Sequence, residues 1–272
     1  MTSKCDDFSV LLPTYNRADL YILFDKAINS IFSNSVVPRE TIVVIDGPIS
    51  AEFTVKINKY EKLYNLLVIW IPENVGLTKA LNIGLSHITT KWVFRADGDD
   101  FNLPDRFEKQ LKVLRDGYHL VGGSIQEINE EGNFLKIRIV PLHHHQICKM
   151  IKRRNPFNHM TVAFSTEFAK EIGGYPDVFL KEDYGLWCSF IKHGAKTANL
   201  PDILVYATTG EKFFLRRTGL NYIKSEINLQ RHLFDCNLST FLEALFFGLL
   251  RCCVYAMPAS VKKLIYFKLL RV

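Results

Sequence analysis

The chain has 272 residues, 48% of them hydrophobic, and a formal net charge of +6. That length allows one large α/β domain with an appendage, or two small domains, with a sizeable core in either case. Ten basic and four acidic residues fall after position 210, so the first 210 residues are neutral and the excess positive charge belongs to the tail. Six cysteines with no C-x-x-C spacing exclude a paired disulfide framework and point to a reducing compartment. The polar start, Met1 to Asp7, lacks the apolar segment of a signal peptide, and no run of uncharged apolar residues is long enough to predict a spanning helix.

Phe8 to Leu12 reads as a buried strand ended by Pro13 and followed by the turn Thr14-Tyr15-Asn16-Arg17. Leu20, Leu23, Phe24, Ala27, Ile28, Ile31 and Phe32 then recur at helical spacing, with Asp19 near the start. Thr41 to Ile45 is a second strand, stopped by Asp46-Gly47-Pro48, and Ala51 to Tyr64 a second helix. Leu66 to Ile71 is a third strand, after which Glu73 to Gly76 forms a loop feeding a helix to about His87. Trp92 to Ala96 is the fourth strand. Strands alternating with helices at this interval predict βαβ units and a parallel sheet. Right-handed crossovers bring the strand-end loops to one rim, and three of those loops carry Asn16-Arg17, Asp46-Gly47 and Asp97-Gly98-Asp99. This is the outline of a nucleotide pocket.

The stretch Trp92 to Asp100 is the centre of that pattern. Its apolar run ends in Asp97, Asp99 and Asp100, and Gly98 is expected to ease the turn. In an open α/β sheet ligands bind beyond the carboxyl ends of the strands. Carboxylates there suit a hard divalent cation, although a solvated acidic turn gives the same sequence. A calcium loop fits less well, since its fifth and sixth positions would be Phe101 and Asn102.

Pro104 is expected to start a helix reaching about Arg115. Leu120 to Ser124 and Phe134 to Val140 look like strands, the second antiparallel. His143 to Arg154 reads as a basic amphipathic helix whose three consecutive histidines point to different faces, which favours a solvated helix start over a metal site. Asn155, Asn158 and His159 precede a strand-like Met160 to Phe164. Gly173-Gly174-Tyr175-Pro176 is a tight turn leading to Lys181-Glu182-Asp183 and a helix from Tyr184 to His193. Helical patterns then cover Phe213 to Phe234 and Phe241 to Met257. After Pro258, Val261 to Val272 interleaves Lys262, Lys263, Lys268 and Arg271 with large apolar residues.

Taken together, Ser9 to Asn16, Val43 to Gly47, Asn74 to Leu77 with Ala80 to Gly84, Asp97-Gly98-Asp99-Asp100 and Glu182-Asp183 resemble the family 2 glycosyltransferases of the GT-A fold. The matching elements come in the family's order and cover roughly residues 8 to 206. The closer likeness, from Asp46-Gly47-Pro48 and the short helical tail, is to bacterial transferases that build surface polysaccharide, such as O-antigen, on a lipid carrier. The resemblance implies an α/β domain with a Rossmann-like, mostly parallel sheet over residues 1–210 and a basic, helical, membrane-associating region over 211–272.

It also implies roles. Pro13, Thr14 and Tyr15 would line the nucleoside pocket and Asp46 would bond the uracil. Asn74, Lys79 and Asn82 would sit near the diphosphate or base. Arg95, Asp97, Gly98 and Asp99 would surround the diphosphate, sugar and metal, with Mn2+ or Mg2+ on Asp97 and Asp99. Asp183 would be the catalytic base with Glu182 beside it, and Asn158, His159, Trp187, Arg216 and Arg217 would face the acceptor. For Trp187 packing competes with sugar stacking, and for Arg216-Arg217 a solvated helix face competes with a diphosphate clamp. The chain departs from the family where Asp46 is followed by Gly-Pro instead of Gly-Ser. It also lacks the Gln-x-x-Arg-Trp signature of processive synthases, so one sugar per encounter is expected.

The chemistry follows from these groups. A divalent ion and fixed cations stabilise charge on a departing diphosphate, and a carboxylate within hydrogen-bond reach takes the acceptor proton. The expected reaction is inverting transfer of a hexose, with UDP-hexose as donor and a polyprenyl-diphosphate-linked saccharide as acceptor, in a β-1,3 linkage. The tail suits a membrane interface, where an apolar helix face sinks to the headgroup boundary while cations meet anionic lipid. That places the protein in the cytoplasm at the inner face of the membrane. Nucleic acid is not an expected partner, since the tail has no stacking module. Two rival classes are a sugar-1-phosphate nucleotidylyltransferase, which lacks its glycine-rich phosphate loop here, and a non-catalytic nucleotide-sugar binding protein.

Overall fold

Short runs of β-branched and aromatic residues, each closed by a proline, a glycine or a carboxylate-bearing turn, dictate the first half of the architecture. The computed structural model describes residues 3–4, 7–209 and 219–257. In chain order it contains β1 (Ser3–Lys4), β2 (Phe8–Thr14), α1 (Ala18–Phe32), β3 (Val36–Val37), β4 (Glu40–Asp46), α2 (Ala51–Tyr64), β5 (Leu67–Ile71), α3 (Leu77–His87) and β6 (Trp92–Arg95). The second half adds β7 (Phe101–Asn102), α4 (Arg106–Arg115), β8 (Leu120–Ile128), β9 (Phe134–Arg138), α5 (His144–Met150), a 3-10 turn at His159–Thr161, β10 (Ala163–Ser165), α6 (Thr166–Glu171), α7 (Glu182–Lys192) and β11 (Thr197–Thr208). Two further helices follow, α8 (Leu220–Asp235) and α9 (Phe241–Ala256).

The main sheet runs in the order β5-β4-β2-β6-β10-β8-β11-β7, with β9 also paired to β8. Strands β5, β4, β2 and β6 are mutually parallel. β10 lies antiparallel between β6 and β8, and β11 runs parallel to β8. The result is a mixed, mostly parallel α/β sheet. Chain order along its parallel half reverses at β2, which has β4 on one side and β6 on the other.

Period-two alternation sorts the strand side chains between two cores. Val10, Leu12, Val43, Ile45 and Phe94 face α1, α2 and α4, meeting Phe24, Phe53 and Phe107. Leu11, Ile42, Val44 and Val93 face the other way, toward α3, α6 and α7, meeting Leu81, Leu85 and Phe190. Both faces are covered, which is why these strands read as unbroken apolar runs. Gly84 lets α3 approach the sheet closely: a Cβ there would collide with Leu11 and Val44.

Several expectations change. α5 ends at Met150, not Arg154: beyond it Arg153 N and Arg154 N both bond back to Met150 O in turns instead of continuing the helix. The region read as a strand over 160–164 is a 3-10 turn followed by β10. β7, β11 and α6 were not foreseen from the sequence. α8 begins at Leu220; the part of that helix expected over 213–218, together with Pro258 and the segment 261–272, lies outside the described residues. Leu229 and Leu233 of α8, with Cys236 just past its end, join Leu186, Cys188 and Phe190 of α7 in one core. α9 is different: none of its residues is buried. Among the described residues no helix is long and apolar enough to cross a membrane.

Candidate active site

The cleft forms at the carboxyl ends of β2 and β6, where the strand order reverses and an open α/β sheet parts its loops. Its volume is about 380 Å³, and the end of β2 supplies Pro13, Thr14, Tyr15 and Arg17 to its wall. Thr14 is buried and its hydroxyl has no hydrogen-bond partner within the described protein. Tyr15 stands exposed at the rim with the Arg17 guanidinium 5.5 Å from its ring centroid.

The end of β4 supplies Asp46, which organises the neighbouring loop. Its carboxylate accepts Val75 N at 2.7 Å and Gly76 N at 3.0 Å, while Asn74 Nδ2 donates to Asp46 O at 3.1 Å. Gly47 permits this contact through a positive φ of 88°, and a Cβ there would press on the Asn74 backbone. Asp46 therefore holds the 74–76 loop at the mouth of α3 with both carboxylate oxygens already engaged.

The end of β6 carries the acidic loop. Arg95 is buried and donates from Nη2 to Asp97 Oδ1 at 2.6 Å. Arg17 Nη2 forms a very short ion pair with Asp99. Asp100 points away from the cleft, accepting Thr208 N at 2.8 Å, and Thr208 Oγ1 donates to Asp99 O at 2.6 Å. Beneath them Arg106, fully buried, donates to Arg95 O at 2.8 Å and to Asn102. Gly98 does not use a positive φ; its missing side chain leaves room for Leu20 and Phe24.

These contacts set the charges. Burial opposes ionisation of Asp97, but the adjacent Arg95, together with His159 and Arg17, outweighs it and holds the carboxyl below the usual range. Asp99 is pushed up to about 6 by burial and by Asp97, against the pull of Arg17. Burial and the neighbouring Arg95 lower Arg106 to about 9.

The second part of the site starts at α7, whose first turn presents Glu182 and Asp183. Asn155 Nδ2 donates to Asp183 Oδ2 at 2.7 Å. Glu182 is raised to about 7 by burial and by Asp183. His159, bonded to the Tyr175 hydroxyl at 3.1 Å, is lowered to about 4 by burial and by Arg95, and it senses both Asp97 and Asp183. His159 is thus a neutral ring between the acidic loop and the start of α7.

Pro13, Thr14, Tyr15, Asp46, Asn74, Arg95, Asp97, Gly98 and Asp99 share one cleft. Lys79 is exposed on α3 outside that lining. Asn82, expected near the diphosphate or base, instead clamps the 173–175 turn: its Oδ1 accepts Tyr175 N at 2.8 Å and its Nδ2 donates to Tyr175 O at 2.9 Å. Two acceptor-side expectations are corrected. Asn158 is buried and donates to Gly123 O, and Trp187 is fully buried against Phe157, His159 and Phe190, so packing decides both. Arg216 and Arg217 lie outside the described residues. The histidine run is a helix start, with His143 capping α5 and His144 bonded to Thr197.

Tyr175 was not singled out as a site residue from the sequence; Arg17 was placed only in a rim loop of the nucleotide pocket and Asn155 only in a segment, 155–161, expected to border the acceptor. Arg17 had a signal, a cation in a strand-end loop, but its meeting with Asp99 across 82 positions is a product of the fold.

The family model for "Glycosyl transferase family 2" matches residues 9–169, more than half of the chain. The chain is a family 2 glycosyltransferase. Family 2 enzymes are inverting transferases, so the nucleotidylyltransferase alternative falls away. This glycosyltransferase is 36% identical, over 97% of its length and 99% of the relative's, to an uncharacterized glycosyltransferase of Haemophilus influenzae. It is 33% identical to the amylovoran biosynthesis glycosyltransferase AmsE of Erwinia amylovora, over 96% of this chain and 98% of that one. It is 32% identical to the UDP-Gal:alpha-D-GlcNAc-diphosphoundecaprenol beta-1,3-galactosyltransferase of Escherichia coli, over 100% and 99%. Among solved structures, S. aureus TarS 1–349 in complex with UDP-GlcNAc superposes with a TM-score of 0.70 at 17% identity, over 97% of this chain and 76% of that one. The mannosyltransferase PcManGT of Pyrobaculum calidifontis, in complex with GDP-Man and Mn2+, gives 0.63 at 17%, over 96% and 75%. These structures establish the GT-A-like α/β fold.

Proposed function

We propose that the chain transfers a hexose from UDP-hexose to a saccharide carried on a polyprenyl diphosphate, in surface polysaccharide biosynthesis, one sugar per encounter. The observation that carries this reading is one cleft at the β2/β6 switch point that joins the Asp46-held loop to Asp97 and Asp99, with His159 close enough to feel the charge of both Asp97 and Asp183. The full-length relatives named for amylovoran biosynthesis and for galactosyl transfer to an N-acetylglucosaminyl-diphospholipid support the substrate class. A β-1,3 galactosyl transfer to that kind of acceptor is its specific form.

In this reading Thr14 and Tyr15 bracket the nucleoside, and Asp46 shapes the base pocket mainly by holding the 74–76 loop. Arg17 and Arg95 face the diphosphate as fixed cations where charge develops. Asp183, oriented by Asn155, takes the acceptor hydroxyl proton. Among the described residues no three His, Cys, Asp or Glu side chains form a closed metal site. Two carboxylates nevertheless fit a hard ion whose shell substrate phosphates complete. Asp97 and Asp99 would hold Mn2+ or Mg2+, which when bound acts as a Lewis acid on the leaving diphosphate. Residues 1–210 form the catalytic region in this proposal. The basic tail from 211, with the exposed apolar face of α9, meets the inner face of the cell membrane.

The test is thermal stabilisation by UDP with and without Mn2+, on the wild type and on Asp99→Ala. A ligand that binds only the folded state raises its stability by mass action. Stabilisation that needs metal and is lost in Asp99→Ala supports the donor site. No stabilisation by UDP under any metal condition, with a positive shift from GDP, dTDP or CDP, overturns the choice of nucleotide; no shift from any of them overturns the site.

A further inference from the structure

Outside the cleft the most unusual group is Glu226. Its side chain has 0% exposure, in the interior between α8, α9 and the start of α7. Burying a carboxylate is costly unless cations and hydrogen bonds compensate it. Two cations do so: Lys181 Nζ lies 3.7 Å from Oε2 and Arg251 Nε 3.6 Å from Oε1. Gln230 Nε2 adds a hydrogen bond to Oε1 at 2.8 Å.

What these two cations hold gives the cluster its meaning. Lys181 immediately precedes Glu182 and Asp183, and it also donates to the Tyr255 hydroxyl of α9 at 3.2 Å. Arg251 donates to the backbone oxygen of Arg153, two residues before Asn155, the side chain bonded to Asp183. The Tyr184 hydroxyl already bonds Ile151 O across the same gap. Glu226 adds a charged link on the far side, reaching both segments at once from the C-terminal helices.

We propose that Glu226 is a positioning residue for Asp183: seated between Lys181 and Arg251, it ties together the two chain segments that place this carboxylate. The proposal rests on Asp183 being the base of the transfer. Glu226 touches no substrate and acts through the backbone at 151–155 and 181–183. Removing the charge of this buried carboxylate while its ion-paired cations remain leaves those cations to find other contacts, and the segments they anchor then shift relative to each other.

The experiment compares wild type, Glu226→Gln, Glu226→Asp, Arg251→Gln and Asp183→Asn. Arg231→Gln serves as a control that breaks only an exposed pair on the same helix, Arg231 with Asp235. Two readouts are taken with Mn2+ present: transfer from UDP-galactose to a synthetic N-acetylglucosaminyl-diphospholipid, and amide hydrogen exchange in the UDP complex. Glu226→Gln is expected to lower kcat about tenfold, leave the UDP dissociation constant within twofold, and speed exchange at 152–156 and 182–185 but not at 97–99. Glu226→Asp keeps the charge and recovers part of kcat, Arg251→Gln behaves like Glu226→Gln, and Arg231→Gln matches wild type. Wild-type kcat and exchange in both Glu226→Gln and Arg251→Gln overturn the proposal. So does a loss of UDP binding in proportion to kcat, which marks general damage. Full activity in Asp183→Asn overturns the base assignment instead. Absence of transfer by the wild type overturns the substrate, and the exchange pattern alone then decides the role of Glu226.

Discussion

The 2.7 Å bond from Asn155 Nδ2 to Asp183 Oδ2 restrains the carboxylate proposed to take the acceptor proton. A hydrogen bond to a charged group contributes about 1.5–3 kcal/mol. Asn155→Ala should therefore lower kcat by about tenfold or more while UDP affinity is unchanged, measured by steady-state transfer beside a UDP titration. A loss of UDP affinity instead would mean that Asn155 serves the donor side. Glu182 offers a pH test at the same scale. Burial and Asp183 raise it from the ordinary 4.5 to about 7. Between those values the unfolded chain has released this proton and the folded chain retains it, so folding is opposed increasingly as pH rises from 4.5 to 7, and the penalty is constant above that. Glu182→Gln removes the penalty. Its stability relative to wild type should be unchanged near pH 4 and rise through pH 7 by on the order of 1–3 kcal/mol, read as a Tm difference that widens over that range. A Tm difference independent of pH would show that Glu182 ionises normally in the folded protein.

Helix α3 shows how an element far from the chemistry shapes the cleft. Its N-cap Gly76 and first residue Leu77 line the pocket, while Gly84 near its other end lies against Leu11 and Val44 of the sheet. Gly84→Val should push the helix off the sheet, costing about 1–3 kcal/mol as overpacking does, and weaken UDP binding by displacing the 74–77 mouth. Asn82→Ala, on the same helix, should spare UDP binding and reduce transfer, because it frees the turn that carries Tyr175 and through it His159. Paired calorimetric and UDP-binding measurements on the two variants separate these outcomes. The helix itself was legible in sequence, as were β2, β4, β5 and β6, because buried parallel strands and amphipathic helices leave strong periodic signatures. β11 was not. Pro201 and Asp202 sit in its middle, and register shifts between Leu200, Ile203 and Val205 break the alternation by which a strand is recognised. The cleft was legible wherever a residue lies at a strand end. The partners of Asn82 and Asn158 were not legible, because a motif fixes a residue's position on an element, and not the face from which it meets a neighbour.

At the scale of the whole molecule, the C-terminal helices divide two tasks. α8 buries Leu229 and Leu233 against α7, while α9 lies on α8 and turns Phe241, Leu242, Leu245, Phe246, Leu249 and Leu250 outward. Phe246 is 63% exposed and Leu249 60%, far more than packing requires, and they recur at the i, i+3, i+4 spacing of a single apolar stripe. Arg251 and Tyr255, on the inner side of the same helix, reach Glu226 and Lys181. A surface of this kind fits a bilayer interface better than water, and burying a Phe or Leu side chain contributes about 1.5–3 kcal/mol. Phe246→Ser combined with Leu249→Ser should therefore reduce co-sedimentation with phosphatidylglycerol vesicles by about a hundredfold in partition coefficient, if each side chain enters the interface only in part. Tm and UDP binding should stay at wild-type values, since neither residue is buried. The basic tail predicts a second signature: raising salt weakens binding to phosphatidylglycerol but not the residual binding to phosphatidylcholine, because only the electrostatic part is screened. Wild-type partitioning in the double variant would show that α9 faces something other than lipid. Equal binding to both vesicle types at low salt would show that the cations of the tail do not meet the bilayer.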